Sequence, residues 1–191
     1  MSPSKFLLIV LLFLIGIVAG TAQEKDGVLL VRLSSVENKV DALKKAGFKT
    51  RAKEEIAAND KFNRDLIENF SIFYTCSDYY FYNSQNAKLI KRGMFDNNLL
   101  DVNGEPVDPD LENLNIYVAE YGEGSPHDST EDYIGKGFVV RKLTDNEFER
   151  VQNRKSYAGS ASGFLKADKK LKKSVIKLNK KIYKMGLFKK V

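Results

Sequence analysis

Val28-Leu29-Leu30-Val31-Arg32-Leu33 is the stretch from which the fold is read. It follows Gly27, is built from Leu and β-branched Val, and carries a single charge. Length and composition give it the character of a buried strand. Directly after it, Ser34-Ser-Val-Glu37 sets Ser three residues before Glu, a capping-box pattern. Val36, Val40 and Leu43 follow at helical spacing, and Gly47 supplies a stop. A second helix is expected over residues 51–69. Its apolar face is Ile56, Phe62, Leu66 and Phe70, with Glu54, Glu55, Lys61 and Arg64 toward water. The two form a helical hairpin, or one long helix bent at Gly47.

Working outward, Ile72-Phe-Tyr-Thr75 and Tyr79-Tyr-Phe-Tyr82 form the most aromatic stretch and read as strand, interrupted at Ser77-Asp78. Residues 85–92 read as a short helix closed by Gly93. Asn103-Gly104 between short apolar pieces signals a hairpin over residues 99–107. Further strands are expected at residues 116–121 and 137–143. Residues 144–153 read as a short helix or a turn with Phe148 and Val151 inward. Ala158-Gly-Ser-Ala-Ser-Gly163 reads as a loop. The clearest element is the last. Leu171, Val175, Leu178, Ile182 and Met185 recur at steps of four, three, four and three, one stripe of an amphipathic helix.

The resulting order, β-αα-β-α-ββ-β-β-α, predicts a single α/β (or α+β) domain. Its mixed sheet of about five strands is flanked by helices and closed by the C-terminal one. The order is compatible with a thioredoxin-like arrangement in which the 99–107 hairpin is an insertion. Such an analogy carries no function.

Residues 1–22 read as an export signal. Lys5 precedes thirteen apolar residues, Phe6 to Val18, then small residues to Ala22, then the polar Gln23-Glu24-Lys25-Asp26. The apolar run is shorter than the ~20 residues of a spanning helix. Three segments are therefore expected: a signal peptide at 1–22, an α/β body at 23–163 and a basic helix at 164–191. The location is periplasmic or extracellular, with no transmembrane span once the signal is cleaved.

The formal charge of +6 is unevenly spread. Residues 164–191 hold eleven Lys and one Asp, whereas residues 23–163 carry a net −5. A mildly acidic body thus carries a strongly basic helix. Lys172, Lys173, Lys177, Lys180 and Lys181 are the candidate contact residues, suited to an anionic envelope surface or an acidic protein. Lys without Arg gives point-charge attraction and not bidentate recognition. Nucleic acid is not the expected partner of an exported chain whose one basic element is this helix. Tyr80 and Tyr82 share one face of their strand and are candidate binding residues, with Tyr79 and Phe81 on the other face.

No catalytic set assembles. One Cys and one His cannot build a zinc site of several Cys and His, or an HExxH motif. There is no CxxC, and Gly135-Lys136-Gly137 lacks the rest of a phosphate loop. Gly122-Glu-Gly124 lacks the third glycine of a dinucleotide fingerprint, and Gly159-Ser-Ala-Ser-Gly163 has Ala161 where a nucleophile elbow needs Ser. A calcium loop at Asp101-Val-Asn103-Gly104 fails because Leu99 falls at its first position. No cofactor and no metal is expected. The alternative to a non-enzymatic binding domain is a small exported enzyme with a pocket near Cys76, the one soft nucleophile, or near His127 in its acidic loop.

The signal ending in Ala22-Gln23, the opening Val28–Leu33 run, Tyr79-Tyr-Phe-Tyr-Asn-Ser84 and Leu178-Asn-Lys-Lys-Ile-Tyr183 together resemble a family of small exported Bacteroidetes proteins with no assigned function. The resemblance implies export and a compact α/β domain. It carries over no functional residue.

Overall fold

The computed structural model describes residues 27–123, 136–151, 157–160 and 167–188. The quoted run becomes β1 (Gly27–Leu33), and it is the central strand. It pairs in parallel with β2 (Asp78–Asn83) on one side and β5 (Asn115–Glu123) on the other. Its apolar continuity follows from that place, because both faces are covered. Leu29, Val31 and Leu33 enter one core, and Val28 and Leu30 the other.

Short β3 (Leu99–Leu100) and β4 (Pro106–Val107) add an antiparallel hairpin outside β2. On the far side β6 (Lys136–Thr144) runs antiparallel to β5. The outer edge of β6 is shared by β7 (Glu147–Arg150) and β8 (Tyr157–Ser160). Among the described residues the sheet thus holds eight strands in mixed orientation, where about five were expected. The class is as read: one α/β domain with a lysine-rich C-terminal helix.

Helices α1 (Glu37–Lys45) and α2 (Lys49–Phe73) are separate, broken at Gly47, whose φ of +84° favours glycine. α2 lays Leu66 and Phe70 on the first core beside α4 (Ala167–Met185), which contributes Leu171, Val175, Leu178 and Ile182. The second face is covered by α3 (Ala87–Lys91), through Ile90, and by residues 93–114, through Phe95, Leu99, Leu111 and Leu114. Phe70 is the hub of the first core. Its ring lies 5.3 to 5.9 Å from those of Tyr74, Tyr79, Phe81 and Phe138.

Three local expectations are corrected, and one open alternative is decided. Ile72 and Phe73 belong to α2 and not to a strand, because the Phe70 side of the helix continues to Tyr74 and buries it. The capping box does not form. Val36 is the N-cap, the Glu37 carboxylate accepts from Gln85, and the Ser34 backbone is held by Asn59 and Asn63 of α2. For residues 144–153 the turn alternative holds: residues 144–150 make a hairpin, and Phe148 and Val151 pack inward. Asp145 and Asn146 at its tip have φ of 42° and 66°, the left-handed pair a two-residue turn requires. Tyr157–Ser160 is a strand because β6 offers it an open edge.

The chain's first and last described residues meet. A Cβ on Gly27 would stand 2.7 Å from the Phe188 ring and 2.9 Å from the Asn115 carbonyl.

Candidate functional site

From β1 the chain crosses the first face through α1 and α2 to reach β2. From β2 it crosses the second face, through α3 and residues 93–114, to reach β5 on the other side of β1. The connections therefore diverge between β1 and β5. In open α/β sheets such a switch point leaves a crevice at the carboxyl ends of the strands, where ligands bind. Here it is a cavity of about 310 Å³ lined by Arg32, Ser34, Phe62, Ser84, Glu120 and Arg141, among others.

Strand register sets its charges. Arg32 is paired with Tyr82 on one side and Glu120 on the other, so the three side chains stand in a row on one face. Val118 opposite Arg141 puts Arg141 on that same face, next along β5 from Glu120. Glu120 takes one arginine on each oxygen. Arg32 Nη1 donates to Oε1 at 2.8 Å, and Arg141 Nη1 donates to Oε2. Arg32 Nε donates to Ser84 Oγ at 3.2 Å, and that hydroxyl donates to the Leu33 carbonyl. Arg32 is thus held at two points, by Ser84 and Glu120, and Arg141 at one, by Glu120. The carboxylate side chain is 20% exposed, and those of Arg32 and Arg141 are 37% and 26% exposed.

Beneath this row Tyr82 is fully buried, and its hydroxyl finds no hydrogen-bond partner among the described residues. Burial is the main force holding the phenol in its neutral form. The Glu120 charge adds to this, and Arg32 and Arg141 act against it. Tyr80 is half-buried against the second core. Tyr82 therefore fills the interior and offers no open ring, whereas Tyr80 is partly exposed.

A second cavity, about 710 Å³, lies along α4. It is lined by Thr75, Cys76, Lys177, Lys180, Lys181 and Phe188, among others. Here Asn179 ties α4 to the α2–β2 link. Cys76 is half-buried and donates Sγ–H to the Asn179 carbonyl at 3.2 Å, and burial pushes its thiol up. That is the setting of a protonated thiol and not of a thiolate nucleophile. Burial pushes the Lys181 ammonium down to about 8. His127 lies outside the described residues.

The apolar stripe of α4 is buried as read, with Met185 packed at its margin. Lys172, Lys173, Lys177, Lys180 and Lys184 are exposed, and Lys181 is half-buried. Lys172 Nζ sits 4.5 Å over the Phe73 ring. Lys173, Lys180 and Lys184 form no ion pair among the described residues. Tyr183, 61% exposed, stands beside Lys180 one helical turn away.

The crevice residues Arg32, Glu120 and Arg141 were not singled out in the sequence. Arg32 is the one charge in β1, but Glu120 shares β5 with Glu123, and Arg141 shares β6 with Lys136 and Lys142, so charge pattern alone did not mark the three. Among the described residues no group of three or more His, Cys, Asp or Glu converges to hold a metal ion. No described helix is long and apolar enough to cross a membrane. No family model, no curated protein and no solved structure matches the chain.

Proposed function

We propose that this chain is an exported, non-enzymatic binding domain whose lysine face on α4 contacts an anionic envelope surface. The observation that carries the reading is the division of α4. Its apolar stripe is spent on the core, and its lysines stand in solvent, with Lys173, Lys180 and Lys184 unpaired among the described residues. The stripe is occupied, so the helix cannot lay it into lipid. Contact is therefore electrostatic, through ammonium point charges. The exposed Tyr183 ring beside Lys180 favours a lipid headgroup layer over an acidic protein, because tyrosine is at home where apolar and wet regions meet.

Each lysine near an anionic bilayer contributes about 1 kcal/mol. Residues 23–191, which contain every described element, are mixed with vesicles of phosphatidylglycerol and phosphatidylcholine. Binding is expected to fall steeply as salt rises past the point where the Debye length drops below about 8 Å. Lys172, Lys173, Lys177, Lys180 and Lys181 changed together to Gln are expected to abolish it. Binding that ignores both salt and the five substitutions defeats the reading. Retained salt-dependent capture of an acidic protein, with no vesicle binding, moves the partner to protein.

A further inference from the structure

We propose that the crevice between the carboxyl ends of β1 and β5 is a binding site for a small organic carboxylate, gripped by Arg32 and Arg141. Two guanidinium groups share one carboxylate there, so the row carries one positive charge in excess. Each arginine spends only part of its donor set. Nη2 of Arg32, and Nε and Nη2 of Arg141, make no hydrogen bond among the described residues. Two neighbouring guanidinium groups with donors left over, Arg32 held at two points and Arg141 at one, match a planar carboxylate. Holding them in advance lowers the cost of ordering on binding.

The charge count favours carboxylate over phosphate, because a single positive charge balances a monoanion and Glu120 already occupies the row. The wall across the sheet end is aromatic. Phe62 and Tyr121 stand with ring centroids 5.6 Å apart, and both line the cavity. At about 310 Å³ the space suits a ligand of single-ring size, with Ser34 and Ser35 offering hydroxyls at the rim.

The test is equilibrium dialysis of the full chain against benzoate, inorganic phosphate and the neutral benzamide. Benzoate is expected to saturate at one equivalent, phosphate to bind more weakly and benzamide not at all. Arg141→Gln is expected to weaken benzoate roughly ten- to a hundredfold, the loss of a charge-assisted bond. Arg141→Lys, which keeps the charge but not the fork, is expected to fall between. Circular dichroism checks that each variant is folded. If Arg141→Gln is not, Arg32→Lys is read in its place. The five-Gln variant of α4 is expected to keep benzoate binding. No saturable benzoate binding, binding untouched by either arginine variant, or phosphate tighter than benzoate overturns the proposal. So does loss of binding in the five-Gln variant, which assigns the uptake to the lysine face.

Discussion

Asn179 of α4 and Thr75 before β2 hold each other twice across 104 residues of sequence. The Thr75 N–H donates to Asn179 Oδ1 at 3.1 Å, and Asn179 Nδ2 donates to Thr75 Oγ1 at 3.2 Å. The adjacent Cys76 thiol donates to the Asn179 backbone carbonyl. Asn179→Ala removes both side-chain bonds. The expected cost is about 1–2 kcal/mol in urea unfolding. Cys76 is expected to react faster with a thiol reagent in the variant than in the parent, since the clamp over it is loosened. Equal reactivity would show that the clamp does not shield it.

The hub position of Phe70 makes a second case. Its ring is fully buried and lies against four other aromatic rings, Tyr74 just past α2, Tyr79 and Phe81 of β2, and Phe138 of β6. Phe70→Ala is expected to destabilise the domain by about 3–5 kcal/mol, since neighbours from three elements cannot all collapse into the void. Chemical denaturation with an unchanged slope and a lower midpoint is the expected record.

The buried Tyr82 hydroxyl gives a prediction of the opposite sign. Tyr82→Phe removes a polar atom that has no partner among the described residues. The variant is expected to be as stable as the parent or more so, by about 1 kcal/mol. It is also expected to bind benzoate no better than the parent. A clear loss of stability would mean that the hydroxyl is satisfied in solution.

The pH dependence follows from groups shifted in opposite senses. Lys181 is held down to about 8 from an ordinary 10.5, so above pH 8 the unfolded chain carries a proton that the native one has shed. Stability rises with pH wherever the unfolded state binds more protons. Cys76 and the buried tyrosines are pushed up from 9.0 and 10.0. They act the other way once the unfolded chain begins to lose those protons, above pH 9 for Cys76 and above pH 10 for the tyrosines. A rise in urea midpoint between pH 8 and 9 is therefore expected, followed by a decline above pH 10. Lys181→Met is expected to abolish the rise and leave the decline.

Much of the fold was written locally. The Leu171–Ile182 stripe, the continuous apolar character of β1, and the turns at Gly47, Gly93 and Asn103-Gly104 each depend on neighbours in sequence, and each formed. Errors arose where tertiary context decided. Ile72-Phe-Tyr-Thr75 has strand composition, but burial of Tyr74 beside Phe70 favours continuing the helix. The small residues of β8 carry no strand signal, and only an unpaired edge on β6 recruits them. The crevice was invisible for a similar reason. Arg32 and Glu120 are 88 residues apart, and only parallel register brings them side by side.

The contact between Gly27 and Phe188 gives the molecule a polarity. Both limits of the described body sit at one pole, where β1 starts and the C-terminal helix has just finished. The Arg32–Glu120–Arg141 row stands at the other pole, a strand's length away, roughly 20 Å. Substitutions at the Gly27–Phe188 contact and in the Arg32–Glu120–Arg141 row are thus separated by the length of β1, and their effects on stability are expected to add.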